Sequence, residues 1–262
     1  MKKLIYLLMS LSLVAFVSCS DDKENEQSGS GNVPENSSSV LSSSGKERGH
    51  SYVDLGLPSG TLWATCNVGA ATPQDYGNYY AWGETTTKEV YNWETYRFTT
   101  DGGSTFTKYT GTDSKTALDL SDDAAYVNWG GKWRMPTKAQ QDELKNECYW
   151  VWTESYNSSN VKGYIVYKAK SEGYKGVKIC ENETPSSSYT LSDAHIFLPA
   201  AGCRFDGVYY AGSSGHYWSS SLCTGYPNLA WEVRFHPDFV NDYCGFYRYY
   251  GQSVRAVIPG NK

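Results

Sequence analysis

From Leu229 to Phe235 the chain alternates strictly, with Leu229, Trp231, Val233 and Phe235 on one side and Ala230, Glu232 and Arg234 on the other. A period of two marks a strand with one face buried, and it assigns Trp231 to the core. Gly163 to Ala169, Ile196 to Leu198, His216 to Ser219 and Ser253 to Ile258 read as further short strands, with Pro199 and Pro259 closing two of them. Helical spacing is rare. Thr137 can cap a helix whose Gln140 reaches back to it, Asp142 and Glu143 suit its positive end, and Leu144 and Cys148 fall four apart on one face. A second short helix is expected over Ser121 to Val127, with Ser121 as its cap and Gly130 just beyond its end. The Thr-, Gly- and Ser-rich stretch from Thr99 to Asp119 reads as a long loop outside the core.

The first residues follow a different pattern. Lys2 and Lys3 precede an apolar run, Leu4 to Val17, of the length of a secretory signal and short for a membrane span. The junction Val17-Ser18-Cys19 resembles a lipobox, although Phe16 stands where Leu is usual, so residues 1–18 are expected to be removed and Cys19 lipidated. Residues 19–48 hold an acidic cluster and then a Ser-, Gly- and Asn-rich run with little to bury, the composition of a flexible tether. That cluster resembles the surface-export signal of Bacteroidetes lipoproteins, which implies an outer-membrane, lipid-anchored protein facing the cell exterior.

Residues 49–262 are within the size of one domain. They carry 18 basic against 22 acidic residues, which speaks against nucleic acid as a partner. Aromatic residues make up 15% of the chain, with 23 Tyr and 9 Trp among them, and favour short strands. Beyond Cys19 there remain Cys66, Cys148, Cys180, Cys203, Cys223 and Cys244, an even number in an exported chain, with fifteen ways to pair. No two stand at C-x-x-C spacing, so structural zinc and thioredoxin-like chemistry are not expected.

Four phrases carry a resemblance: Y-V-D-L-G-L-P-S-G-T-L-W-A-T-C-N-V-G-A from Tyr52, G-G-K-W-R-M-P-T from Gly130, I-F-L-P-A-A-G from Ile196, and Y-W-S-S-S followed by G-Q-S-V-R-A-V. Together they resemble the Fibrobacter succinogenes major paralogous domain family of Bacteroidetes lipoproteins, related to the C-terminal domain of the Legionella collagen-like adhesin. The resemblance implies an α+β, C-type-lectin-like fold: a small twisted antiparallel sheet, two short helices, long loops and neighbouring chain ends. W-R-M-P-T-K-A-Q-Q-D-E-L also resembles an element of formylglycine-generating enzymes, a branch of the same fold. On that reading Trp133 is buried, and Arg134 gives its donors to loop carbonyls or a carboxylate ahead of the helix cap.

Little catalytic chemistry accompanies these phrases. The paired cysteines of the enzyme branch are not matched around Cys244, no G-x-S-x-G occurs, and His50, His195, His216 and His236 stand at no metal-binding spacing. Tyr226-Pro227-Asn228 and Val240-Asn241-Asp242 match neither calcium triplet of the sugar-binding lectins. No Gly-rich phosphate loop is present, so no metal and no cofactor are expected. What remains is a non-catalytic binding domain for a glycan or a surface protein. The alternatives are a structural subunit of an envelope or fimbrial assembly and, behind it, an enzyme of the formylglycine-generating branch. Recognition in this fold implies loops above the sheet, which points to the stretch His236 to Tyr250. Tyr243, Tyr247 and Arg248, supported by Asp238, Asn241 and Asp242, are the expected ligand-binding residues. Their charge balance suits a neutral glycan or a protein surface rather than a sulfated polysaccharide. Cys223 and Cys244 are the pair expected to be bridged, because that bond closes the aromatic region without crossing the fold.

Overall fold

A computed structural model describes residues 44–178 and 185–260. Cys19, the expected signal peptide, most of the expected tether and Cys180 lie outside the described residues, all of which fall within one unit, Leu41–Lys262.

The body starts earlier than composition suggests. Strand β1 (Ser44–Glu47) pairs antiparallel with β2 (His50–Asp54), so residues 44–47, counted with the tether by composition, belong to a sheet. The turn between them is Arg48-Gly49, both at positive φ (52° and 85°), the two-residue hairpin geometry that twists with its strands. With Arg in place of the usual Asn or Asp, it carried no turn signal. β3 (Leu62–Ala64) pairs with β2.

The chain then runs through an irregular stretch to helix α1 (Ala124–Trp129), capped by Asp123, whose carboxylate accepts from the Tyr126 N–H. Ser121, the expected cap, lies instead in a 3₁₀ turn just before it. Asp123 wins because the same carboxylate also accepts from the Met135 N–H at 2.8 Å, tying helix to loop. Within the stretch read as loop, Tyr109 is buried and donates through its hydroxyl to Asp122 at 2.7 Å, so irregular backbone here still supplies core.

Helix α2 (Lys138–Glu147) has the expected capping box between Thr137 and Gln140. It ends at Cys148, where β4 (Cys148–Thr153) begins. β4 pairs with β5 (Gly163–Lys168) and, in parallel, with the short β6 (Gly176–Val177); β5 pairs in turn with β7 (His195–Pro199), giving the order β6-β4-β5-β7. A small ribbon, β8 (Cys203–Arg204) and β9 (Val208–Tyr209), precedes the sheet of β10 (Gly215–Leu222), β11 (Leu229–His236) and β12 (Phe239–Tyr247). Of the expected strand Ser253 to Ile258, only β13 (Val257–Ile258) is a strand, antiparallel to β3 in the first sheet. Gln252 and Ser253 make single bridges to Tyr80 and Tyr217.

The described residues therefore form an α+β fold of small, mostly antiparallel sheets with two α-helices. Trp133 and Arg134 lie where the last strand passes: Arg134 and Val257 exchange backbone bonds at 2.9 Å each way. The Trp133 ring is fully buried, with its indole N–H donating to the Glu47 carbonyl at 2.9 Å. Arg134 donates to the carbonyls of Gly131 and Trp133 and stacks over Tyr126. Trp231 is only half-buried, beneath the Lys138 ammonium. Aromatic residues dominate the packing, with Trp82, Trp133 and Trp218 in one cluster and Trp63, Trp150 and Phe235 in another. Truncating any one of these rings removes roughly 3–5 kcal/mol.

Arg255 ties distant segments of the chain together. It is buried and donates to Asn67 and to the carbonyls of Ala64, Thr65 and Phe197, joining three segments without a carboxylate. Cys223 and Cys244 are bridged, with Cα atoms 6.1 Å apart. Cys66, Cys148 and Cys203 are free thiols, so the even count does not translate into a full set of bridges. Burial pushes the Cys203 thiol up to about 12 and raises Cys148 further, which keeps both as inert core residues.

Candidate ligand-binding surface

The stretch His236 to Tyr250, read as a loop, is mostly a strand. A two-residue turn, Pro237-Asp238, leads into β12, which is the edge of its sheet. The register shifts between the Ala230–Phe246 and Trp231–Cys244 pairs, leaving Gly245 as an extra residue. Gly is required there because the Tyr243 ring folds over it: a Cβ would lie 1.9 Å from that ring.

This geometry separates the six expected ligand residues. Alternation along β12 puts Asn241 and Tyr243 on the face shared with Glu232 and Arg234, and Asp242 on the opposite face with Val233. Asp238 and Asn241 are exposed, as is Tyr243 (52%). Asp242 turns to helix α2, where Lys138 lies at 2.9 Å and Lys145 closer. Burial alone would raise the Asp242 carboxyl, but those two ammonium groups more than offset it and hold it well below the usual carboxylate range. Its charge is already matched, so Asp242 is a helix-to-sheet tie and not a ligand group.

Arg248 departs furthest from expectation: it is 0% exposed. Its guanidinium donates to the Tyr96 hydroxyl (2.8 Å) and to the carbonyls of Pro227 (2.7 Å), Tyr109 (3.1 Å) and Lys108 (3.2 Å). Trp82 and Phe106 lie over its plane at 4.9 and 4.7 Å. Carbonyl dipoles and ring faces neutralise the charge where no carboxylate does. A ligand cannot reach it.

Tyr247, one residue earlier, faces out (42% exposed) and belongs to a run of touching rings that sequence reading did not assemble. Trp93 meets Tyr247 and Tyr249 at 5.7 and 4.7 Å; Tyr247, Tyr249 and Tyr250 are nearly parallel to one another. Tyr250 contacts Phe205 at 5.3 Å, and Phe205 stacks on Tyr209 at 3.9 Å. Tyr209 (38% exposed) leads on to Tyr210 (59% exposed). Three distant pieces of chain build this surface. Tyr91 donates to the Phe205 carbonyl, and Arg204 and Gly251 exchange backbone bonds at 2.7 and 2.8 Å, which fixes the pieces edge to edge. The sequence carries no selective signal for this surface: Tyr-Tyr occurs at 209–210 and 249–250, but also at 79–80, where both rings are buried.

Two hydroxyls on this face, those of Tyr209 and Tyr249, hold their protons more firmly than a free phenol does. A hydrogen bond to the Asp206 carboxylate raises Tyr209, and burial followed by a bond with Tyr250 raises Tyr249. They therefore act as neutral donors and acceptors beside flat apolar rings.

Compared with known proteins, this chain matches no family model, no curated protein and no solved structure.

Two further arrangements hold titratable groups. Beneath Phe246, His216 accepts at Nε2 from the Ser214 hydroxyl (3.0 Å) and donates at Nδ1 to Glu232 (3.2 Å), in the order of a nucleophilic relay. All three residues are buried, so a substrate carbonyl has no path to the Ser214 oxygen. Elsewhere, a cleft of about 270 Å³ is lined by Thr65, Pro73, Tyr156, Asp193 and His195, among others. There His195 donates at Nδ1 to the Asp193 carbonyl and accepts at Nε2 from the Tyr156 hydroxyl, which fixes its neutral tautomer. Burial lowers its proton affinity further. Both imidazole nitrogens are thus taken. Among the described residues no group of three or more His, Cys, Asp and Glu side chains could hold a metal, and no helix is long and apolar enough to cross a membrane.

Proposed function

We propose that this chain is a lipid-anchored binding protein whose aromatic face takes carbohydrate, without catalysing a reaction on it. One observation carries the reading: a continuous run of rings in which Tyr247 and Tyr209 are exposed and Trp93, Tyr249, Tyr250 and Phe205 are half-buried beside them, held at fixed angles by backbone pairing between their segments. A soluble domain gains nothing by leaving such rings in water, and a contiguous exposed patch marks a surface that is covered by something else. Sugar C–H faces match flat rings, and tyrosine hydroxyls at the edges match sugar hydroxyls. The lectin-like fold implied by the four sequence phrases agrees with two short helices, small antiparallel sheets, and a first sheet that contains both β1 and β13. Anchoring through Cys19 at the outer membrane follows from the sequence of the leader.

Screening the full-length protein on a glycan array tests the reading. Tyr247→Ala, Tyr249→Ala and Tyr209→Ala, each folded by circular dichroism, should weaken every hit about ten-fold. Hits unaffected by all three substitutions would remove this face from consideration. Fatty-acid labelling that marks the wild type and Cys19→Ser equally would remove the anchor.

Assembly is the second reading, and the observation favouring it is β12 itself, a nine-residue edge strand open to pairing. Concentration-dependent polymerisation together with an empty array would decide for it.

A further inference from the structure

The aromatic face is not electrically neutral. Three carboxylates stand around its rings: Glu94 follows Trp93 directly and acts on Tyr249, Asp206 accepts from the Tyr209 hydroxyl at 2.6 Å, and Glu89 reaches Arg204 at 3.1 Å. Arg204 is the basic group on this part of the face and is matched by Glu89. Among the described residues no Lys, Arg or His pairs with Glu94 or Asp206, and both are exposed. Nearby cations are otherwise engaged. Lys88 turns inward to Glu84 at 2.8 Å, Arg97 pairs with Asp122, and Arg234 lies over Phe239 and Phe246, the second of which touches Tyr250.

Exposed ring faces and uncompensated carboxylates attract the same kind of group. The negative face of an aromatic ring draws a cation, and a carboxylate beside it adds a charge-assisted hydrogen bond. Sulfated and carboxylated polysaccharides meet repulsion here, while neutral sugars leave Glu94 and Asp206 without any role. We infer that the face prefers a polysaccharide whose units carry free amino groups, with the sugar ring stacked on Tyr247, Tyr249 or Tyr209 and the ammonium directed to Glu94 or Asp206. This rests on the reading that the face takes carbohydrate. A basic peptide offers the same charge, but the near-parallel rings of Tyr247, Tyr249 and Tyr250 match the flat C–H face of a sugar, which favours the sugar.

The test compares fully deacetylated chitosan oligosaccharides, their N-acetylated counterparts and cello-oligosaccharides of equal length. Binding to the full-length protein is followed by the quenching of its Trp and Tyr fluorescence at mildly acidic pH. The deacetylated ligand should bind about ten-fold tighter than either neutral one, the size expected of two exposed charge contacts, and the preference should shrink in high salt. In Glu94→Gln/Asp206→Asn the preference should disappear, the deacetylated ligand binding no tighter than its N-acetylated counterpart. Equal affinities for all three ligands in the wild type would overturn the charge preference and leave the carbohydrate reading standing. Binding of none would overturn both. Oligolysine that binds as tightly as the deacetylated sugar, with the same loss in the double variant, would replace the sugar by any polycation and so overturn the inference.

Discussion

Replacing Arg248 by methionine tests the reassignment of that residue from ligand contact to internal tie. The substitution keeps most of the apolar stem and removes a guanidinium that supplies four hydrogen bonds, three of them to main-chain carbonyls. In the variant those three carbonyls stay buried without a donor, at roughly 1–3 kcal/mol each. Part of that loss is recovered because a buried cation no longer has to be stripped of water, a cost of several kcal/mol. The net destabilisation expected is about 3–5 kcal/mol, the range found when one member of a buried charged network is removed. For a body of this size each kcal/mol lowers the melting temperature by roughly 2–4 °C, so a drop on the order of 10 °C should appear in calorimetry. Urea unfolding gives the free energy directly. Arg248→Lys should fall between the two, since one ammonium cannot span four acceptors placed for a planar fork. Tyr247→Ala, one residue away and half-exposed, should cost less than about 1 kcal/mol. An Arg248→Met protein within about 1 kcal/mol of wild type would refute the argument that these carbonyls depend on the guanidinium.

Reduction of the Cys223–Cys244 bridge, which closes a loop of 21 residues, should lower stability by about 3 kcal/mol in urea titrations. Thiol labelling in denaturant without reductant should leave these two cysteines unmodified, and labelling of both would contradict the bridge. Asp242 has a folded-state affinity for protons below that of the unfolded chain, so its contribution is present above the unfolded value near about pH 4 and is lost as the pH falls through the folded one. Wild type should therefore lose stability more steeply than Asp242→Asn on acidification below about pH 4, and parallel curves would refute the role of the Lys138 and Lys145 contacts.

The elements legible in the sequence were those that carry their own local signal. The α2 capping box is complete within four residues, and β11 was legible from its alternation although burial does not follow it, since Ala230 and Glu232 are buried while Leu229 and Trp231 are half-buried. β4 was missed for the opposite reason: all six residues of C-Y-W-V-W-T are buried, so no alternation survives, and the strand begins where the helix stops. α1 was found with the wrong cap, because Asp123 is chosen by a bond to Met135 that no local window contains. The ring run was legible only in part: Tyr247 was read as part of a loop, and Trp93, Phe205 and Tyr209 come from two other segments that only backbone pairing brings to it.

Tyr247 and Arg248 show why composition alone could not divide the stretch into ligand contacts and scaffold. Both residue types suit sugar recognition, and they are neighbours in the chain. What separates them is the end of β12, where the backbone leaves the sheet edge and bends, with Tyr250 donating to the Tyr247 carbonyl at 3.0 Å. The bend sends Arg248 inward and leaves the Tyr249 and Tyr250 rings half-buried at the surface. Arg248, drawn into the ring cage, fixes the bend from below by holding the carbonyls of Pro227, Lys108 and Tyr109. From its other side, the Arg204–Gly251 pairing joins the bend to the ribbon that carries Phe205 and Tyr209. Tyr247, Tyr249 and Tyr250 are thus set between two ties before any ligand arrives. Ordering a free side chain at an interface costs roughly 0.5–1.5 kcal/mol, and rings already held at their angles avoid most of it. The buried arginine, excluded from the surface, is in this way the residue that holds the proposed surface in shape.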